Sequence, residues 1–491
     1  MRRALRALAI FLAMHLCLSA SCCFSQEDVA GTADVLSLDR CVQICLKRNF
    51  SLMQALELLI EKEADYYVSM SDNLATKVGS YYKNGTTVLN HGYEEMEAKG
   101  ELSYKMPLGD TVRASSEIIR TNFTDLAGYD LSLEYRHPMA KGYGPLIGWK
   151  EVRKSQRNWT IQELQYFLSK QGVVSEVIRK YFTLLQSKKL IDVNEEAVKS
   201  ARENLRITKK KFDEGMVSKI DLTRAEILLV ESQDGLLSAQ KTWQDSRDSL
   251  LLTMGLDARR KYDIDYTVPY TPSDFLEEEC LDLALLVRKE LMVSGEDLIQ
   301  NQENVVIAKN NLMPQLDLVG GYGATRKDFL FGSGSTGSLL YPAWNARIEF
   351  SIDISKRALR EELLKAQRLV ALAEQKIADQ KREIVKEVRE YIRLVNLNQN
   401  KVRLREENLR AAEERLHLAK RSWEEGLINN RELVDAQQAL VQAQSQLLRA
   451  KIDYIIAEYE LRKSIGYDLS YLIRQENREK RAPRPARTVT E

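Results

Sequence analysis

The side chains best suited to chemistry in this 491-residue chain are six cysteines, four histidines and a scatter of carboxylates. Cys41 and Cys45 stand four apart in a helical pattern, which puts both thiols on one face and raises metal or redox chemistry. No histidine lies near them, because His15, His91, His137 and His417 are dispersed along the chain. The spacing suits side-by-side packing better than a helical disulfide, so both are read as small core residues. No nucleophile elbow, phosphate-binding loop or convergent acid pair occurs, and nothing argues for an enzyme, a cofactor or a metal. Charge is balanced at 72 Lys+Arg against 71 Asp+Glu. A nucleic-acid partner would need a basic excess, so that class is excluded.

The elements therefore carry the reading. Residues 1–25 are a secretory signal: Arg2, Arg3 and Arg6 precede an apolar run from Ala7 to Leu18, followed by Ser19, Ala20 and Ser21. The run is too short for a transmembrane anchor. Leu18-Ser-Ala-Ser-Cys22 resembles a loose lipobox with its Leu one place too far upstream, which makes Cys22 a candidate for lipidation. Metabolic labelling with a fatty acid checks this: label present on the native chain and lost in Cys22→Ala is the expected result.

The strongest signal is an internal repeat. Residues 195–257 align without a gap with residues 406–468. Phe212, Gly215, Asp221 and Leu222 face Trp423, Gly426, Glu432 and Leu433, and Gly255 faces Gly466. In each copy large apolar residues recur every seventh position: Leu222, Leu229, Leu236, Trp243 and Leu250, then Leu433, Leu440, Leu447, Tyr454 and Leu461. Small residues follow each by three, from Ala225 and Ala436 onward. A seven-residue seam keeps facing a partner helix, and its small positions allow a tight antiparallel pair or a helical wall. Prolines are absent from 146–268 and 343–482, which permits very long helices. Gly215 and Gly426 are where each hairpin folds back, with Ser218 and Asn429 or Asn430 as following caps. An arm of about 65 residues would reach on the order of 100 Å.

Between the helical arms the period changes to two. Trp344 to Ile354 alternates strictly, as does Tyr129 to Arg136, and Gly100–Met106, Thr111–Arg120 and Gln315–Thr325 can pair with them. Such strands suit either a soluble sandwich or a membrane barrel with lipid outside and water inside. The flanking helices and the signal favour the barrel. Phe331–Ser338 reads as an exposed loop.

These residues together resemble the outer membrane efflux protein family, the TolC-like export ducts. The opening Leu36 to Asn49 is similar to the family's first helix, with Cys41 and Cys45 where Ala is usual. Leu312-Met-Pro314-Gln-Leu316-Asp-Leu318 is similar to its helix-to-strand entry, and Pro138 to Gly144 to a strand exit in one branch. The aromatic-x-x-Gly turns at 212–215 and 423–426 match its hairpin tips. The resemblance implies a mainly α fold with a transmembrane β portion: long antiparallel hairpins forming an α-barrel, and four strands per protomer for a shared 12-stranded β-barrel. It implies a homotrimer in the outer membrane with its helices in the periplasm, a passive duct recruited by an inner-membrane transporter through a periplasmic adaptor. The cargo class, from drugs and metal ions to secreted polypeptides, stays open.

The resemblance also assigns roles. Phe212, Gly215, Trp423 and Gly426 make the tip turns and adaptor contact. Glu432 and Asp435, six and nine places after the second turn glycine, line the closed entrance as a cation-favouring ring, the alternative being a solvated helical face. Asp221 and Trp423 match positions of closing contacts. Ile428 stands where a basic residue is expected, and Arg224 is a substitute candidate. The organisation is then a first repeat over 26–257 with its tip near 215, a linker over 258–275, a second repeat over 276–470 with its tip near 426, and a disordered basic tail over 471–491. A secreted coiled-coil structural or adaptor protein without a pore is the rival, and it needs no period-two segments.

Overall fold

The computed structural model describes residues 35–86, 92–121, 126–257, 262–264, 270–330, 336–425 and 427–481. The expected signal, Cys22 and Gly426 lie outside the described residues. Short elements open the chain: β1 (Val35–Leu36), α1 (Leu38–Arg48) and α2 (Phe50–Ser71). Ser37 caps α1 and Asn49 caps α2, its side chain accepting from Leu52 N–H at 3.0 Å. Four strands follow, β2 (Leu74–Thr86), β3 (Gly92–Lys105), β4 (Thr111–Thr121) and β5 (Leu126–Pro138). A single turn of helix, α3 (Pro145–Gly148), leads into α4 (Lys150–Asp213) and α5 (Lys219–Thr253). The second half runs β6 (Asp263–Ile264), α6 (Glu277–Val287), α7 (Lys289–Asn311), β7 (Gln315–Leu330), β8 (Thr336–Ser351), α8 (Arg357–Glu424), α9 (Asn430–Ile465) and α10 (Leu469–Arg481).

The long arms match the proline-free spans. With 64 and 68 residues, α4 and α8 extend about 96 and 102 Å at about 1.5 Å per residue. Side by side the lower helices run α5, α4, α9, α8, and nearer the sheet α2, α4, α7, α8. The period-seven seams do the packing. In α9 the seam residues Leu433, Ala436, Ala443, Ala450, Tyr454, Ala457 and Leu461 are buried, because α9 is flanked by both α4 and α8. The equivalent positions of α5 are mostly half-buried, since α5 lies at the edge of the row. One repeated sequence therefore meets two environments within a single copy.

A core at mid-height joins the halves: Cys41 and Cys45 pack with Val177, Phe182, Leu250, Tyr454 and Leu461. Burial pushes both thiols up to about 12, so neither is a thiolate at neutral pH, which suits small core residues. The linker is tied to this core through Tyr454, whose hydroxyl accepts from Ser273 N–H at 2.9 Å. Beside it Glu460, buried, accepts from Ser175 Oγ at 2.6 Å and from Arg179 at 2.9 Å. Burial alone would raise its pKa, but Ser175, Lys463 and Arg179 outweigh burial and hold it below the usual carboxylate range. The stabilisation of a depressed carboxylate is complete above its unfolded pKa of about 4.3 and is lost as pH falls through the folded value. Glu460→Gln is expected to flatten the acid side of a plot of melting temperature against pH.

Two expectations are corrected. The sheet has six strands, not four, in the order β2-β3-β4-β5-β7-β8, every pair antiparallel. The first half supplies two hairpins, the second half one. The tail does not lose structure at residue 471: α10 continues to Arg481, because Leu469 and Ile473, four apart, bury themselves against the helices. Residues 482–491 lie outside the described residues.

Candidate functional site

The sheet has two unlike faces, and its register shows why. Leu102, Ala114, Leu133, Tyr322 and Trp344 stand opposite one another in one row across β3, β4, β5, β7 and β8. Because side chains alternate along a strand, the row lies on one face. Leu102, Leu133, Tyr322 and Trp344 are exposed there, with Leu131, Tyr135, Ile348 and Phe350 in neighbouring rows, and Trp344 is 80% exposed. A contiguous apolar face of this extent marks a surface that meets lipid or another apolar partner.

The opposite face is ionic. Arg136 reaches Asp317 at 2.9 Å and Glu349 at 2.7 Å, and Arg347 reaches Glu349 at 2.7 Å and Glu134 at 2.9 Å. Arg113 pairs with Glu101 at 3.0 Å, and Ser115 and Ser132 share a 2.6 Å hydrogen bond. These side chains belong to alternate strand positions, so the apolar and ionic faces are both continuous from β3 to β8. The strict alternation in Trp344–Ile354 and Tyr129–Arg136 signalled the apolar face. The ionic network is the other half of the same pattern, built from the polar residues that alternate with the apolar ones.

At the far end of the helices lie the two hairpin tips. α4 ends in a Schellman motif: Met216 N–H donates to Lys211 C=O at 2.8 Å, Gly215 N–H to Phe212 C=O at 2.9 Å, and Gly215 takes φ 75°. A side chain at that φ would be strained, which explains the glycine. The second tip repeats the outer bond, Leu427 N–H to Ser422 C=O at 2.8 Å. Ser218 and Asp221 form a capping box at the start of α5, and Asn429 caps α9 through Glu432 N–H.

The tips are unequal. Trp423 is buried among Leu416, Leu433, Ala436 and Ile428, whereas Phe212 is half-buried. Lys211 lies over the Trp423 ring at 4.3 Å and donates to Trp423 C=O at 2.6 Å, locking the first tip to the second. The fully buried Asn430 donates to Asp221 C=O at 3.0 Å and adds a second cross-tie. Further up, Gln437 donates to Ser200 Oγ at 2.9 Å across the hairpin boundary. Lys211 stands in no sequence pattern and was missed; Asn430, one of the two expected caps, leaves the capping to Asn429 and ties the hairpins together instead. Glu432 and Asp435 are both exposed on α9. Within one copy Arg224 pairs with Asp221 at 3.8 Å and Asp435 with Arg431 at 3.9 Å, so Arg224 and Asp435 are engaged separately.

Among the described residues, no helix is long and apolar enough to cross a membrane, and no cluster of three or more metal-ligating side chains occurs. Compared with solved structures, the chain is similar to the CmeC outer membrane channel of Campylobacter jejuni, with a TM-score of 0.67 and 18% identity over 89% of each chain. It is similar to the outer membrane protein VceC of Vibrio cholerae, with a TM-score of 0.64 and 13% identity over 87% of this chain and 96% of that one. The open state of the MtrE outer membrane channel of Neisseria gonorrhoeae gives 0.62 and 15% over 87% and 88%. Compared by sequence with curated proteins, the chain matches none. The model of the outer membrane efflux protein family matches residues 149–256 and 280–467, the two helical repeats with the second strand pair between them. With the family's paired hairpins, mid-height core and strand segments all in place, this chain belongs to the outer membrane efflux protein family.

Proposed function

We propose that three copies of this outer-membrane efflux channel subunit close side by side into one passive duct. The sheet lies in the outer membrane and the helices in the periplasm. Substrate passes from an inner-membrane transporter through a periplasmic adaptor docked at the tips around Phe212, Gly215, Trp423 and Gly426. The observation that carries this reading is the pair of open edges on a single copy. On one side α5 presents Ile220, Ile227, Val230 and Leu237, all exposed, at spacings of seven, three and seven. On the other side α8 presents Leu397, Leu404 and Leu418, exposed and spaced by multiples of seven. Each stripe is a coiled-coil seam without a partner, and the two lie at opposite edges of the helical row. A neighbour's α8 laid against α5 fills both and gives α5 the two-sided burial that α9 already has.

Closure by threefold symmetry repeats Glu432 and Asp435 around the axis. The carboxylates then form a cation-favouring constriction at the periplasmic entrance, with Asp221, Arg224 and Arg431 beside it. A coiled-coil adaptor without a pore accounts for the helices but has no use for a sheet with one apolar and one ionic face. The test is the purified trimer in a planar bilayer: Glu432→Gln with Asp435→Asn should reduce cation over anion selectivity and change conductance. Currents and reversal potentials equal to those of the native channel would remove these residues from the constriction.

A further inference from the structure

The extra hairpin is built into the sheet rather than appended to it. The turn between β3 and β4, Met106–Asp110, is clamped at the helical end of the sheet by the segment that links β5 to α4. Gly144 N–H donates to Leu108 C=O at 2.9 Å, and the Trp149 indole donates to Lys105 C=O at 3.1 Å. Gly148 sits so close that a Cβ there would fall 2.2 Å from Pro107 O, and one on Gly109 would fall 2.2 Å from Gly142 O. Asp110, buried, accepts from the Tyr135 hydroxyl at 3.1 Å and lies 2.5 Å from His137 Nδ1. The glycine-rich stretch from Pro138 to Gly148 is therefore a socket for this turn. Beyond the turn, β3 carries the apolar face onward through Leu102 and Tyr104, and the ionic face through Glu101 and Lys99.

We propose that the closed barrel has eighteen strands, six from each copy, with β2 of one copy pairing antiparallel to β8 of the next. This rests on the threefold reading above. The strand directions fit: β2 runs away from the helices and β8 runs back to them, so the outer strands of adjacent copies meet antiparallel. In the bilayer an open edge is not tolerated, because unpaired backbone N–H and C=O groups find no water there. Widths also fit. Six strands about 4.8 Å apart and tilted by about 40° occupy about 38 Å of perimeter, and four would occupy about 25 Å. The four helices α2, α4, α7 and α8 that feed the sheet occupy about 32–40 Å at about 8–10 Å each. The inserted hairpin thus brings the sheet to the width of the helical wall. Closed three times, it gives a barrel about 36 Å across, against about 24 Å for twelve strands.

Cysteine cross-linking in the assembled protein tests the seam. One cysteine replaces Ala75, Lys77 or Gly79 in β2, and a second replaces Asn345, Arg347 or Glu349 in β8; each single variant serves as control. A parallel set pairs the β8 positions with Arg113, Ser115 or Glu117 in β4. Oxidation should join β2 to β8 between copies in at least one pair, giving covalent dimers and trimers on denaturing gels. Cross-links between β4 and β8 instead would place the extra hairpin outside a twelve-stranded barrel and overturn the proposal. Native trimers that cross-link through neither set would also overturn it. Absence of any trimer by mass measurement before oxidation would show that the threefold reading itself has failed.

Discussion

Leu131→Arg should sharply reduce the amount of assembled protein in the outer membrane, while Ser132→Arg, one residue on, should leave it near the native level. Leu131 is midway along β5 and 61% exposed on the apolar face. If that face meets lipid, an arginine at this depth costs about 2–4 kcal/mol. Ser132 belongs to the ionic face, where its hydroxyl meets Ser115 at 2.6 Å and Glu134 and Arg136 are neighbours on the same strand. In the proposed duct a new guanidinium there would enter the aqueous lumen, among side chains already charged. The amount of heat-resistant oligomer recovered from outer-membrane fractions reads the difference. Equal loss from both variants, or from neither, would mean that the two faces do not separate lipid from water.

Trp423→Ala should open the tip. The indole fills the small core of Leu416, Leu433 and Ala436, and removing a buried tryptophan costs about 3–5 kcal/mol. It also removes the ring beneath Lys211, one of the ties between the two hairpins. The hairpin joints are local, so the loss is felt as separation of the tips more than as global unfolding. Reconstituted Trp423→Ala should show a larger leak conductance and faster proteolysis near residues 424–430. Trp423→Phe keeps most of the packing and should lie close to native. Phe212→Ala, at the half-buried equivalent in the first copy, should have a smaller effect than Trp423→Ala. A Trp423→Ala channel as closed as the native one would place the lock elsewhere, with Asn430 the next residue to examine.

The helical part was legible because its signals are long. Two proline-free spans, a period of seven and paired turn glycines each act over dozens of residues, and together they define the hairpins and their antiparallel pairing. The strands were less so. Trp344–Ile354 and Tyr129–Arg136 alternate cleanly, but β2 and the start of β3 do not: Tyr81 stands beside Tyr82 and Glu94 beside Glu95, which blurs a period of two. β2 and the start of β3 were therefore missed, and the four strands implied by the family resemblance stand against six in the sheet. The Pro107-Leu-Gly109 turn, which joins β3 to β4, reads as punctuation in any loop. At the tip, the contrast between Phe212 and Trp423 was visible in the repeat. The cross-ties were not, because Lys211 and Trp423 are partners across two hairpins and nothing in either local sequence announces the other. The start of the tail was misjudged for a similar reason: three apolar residues among many charges make a poor helix alone, and α10 gains its stability by docking.

A duct of this kind requires one assembly, a trimer, in one place, the outer membrane. Membranes from cells producing the full chain can be separated by density and run on gels with and without boiling. Comigration with outer membranes as a trimer that falls to the monomer on heating is the predicted result. A monomer in the soluble periplasmic fraction, unchanged by heating, would contradict a trimeric outer-membrane duct.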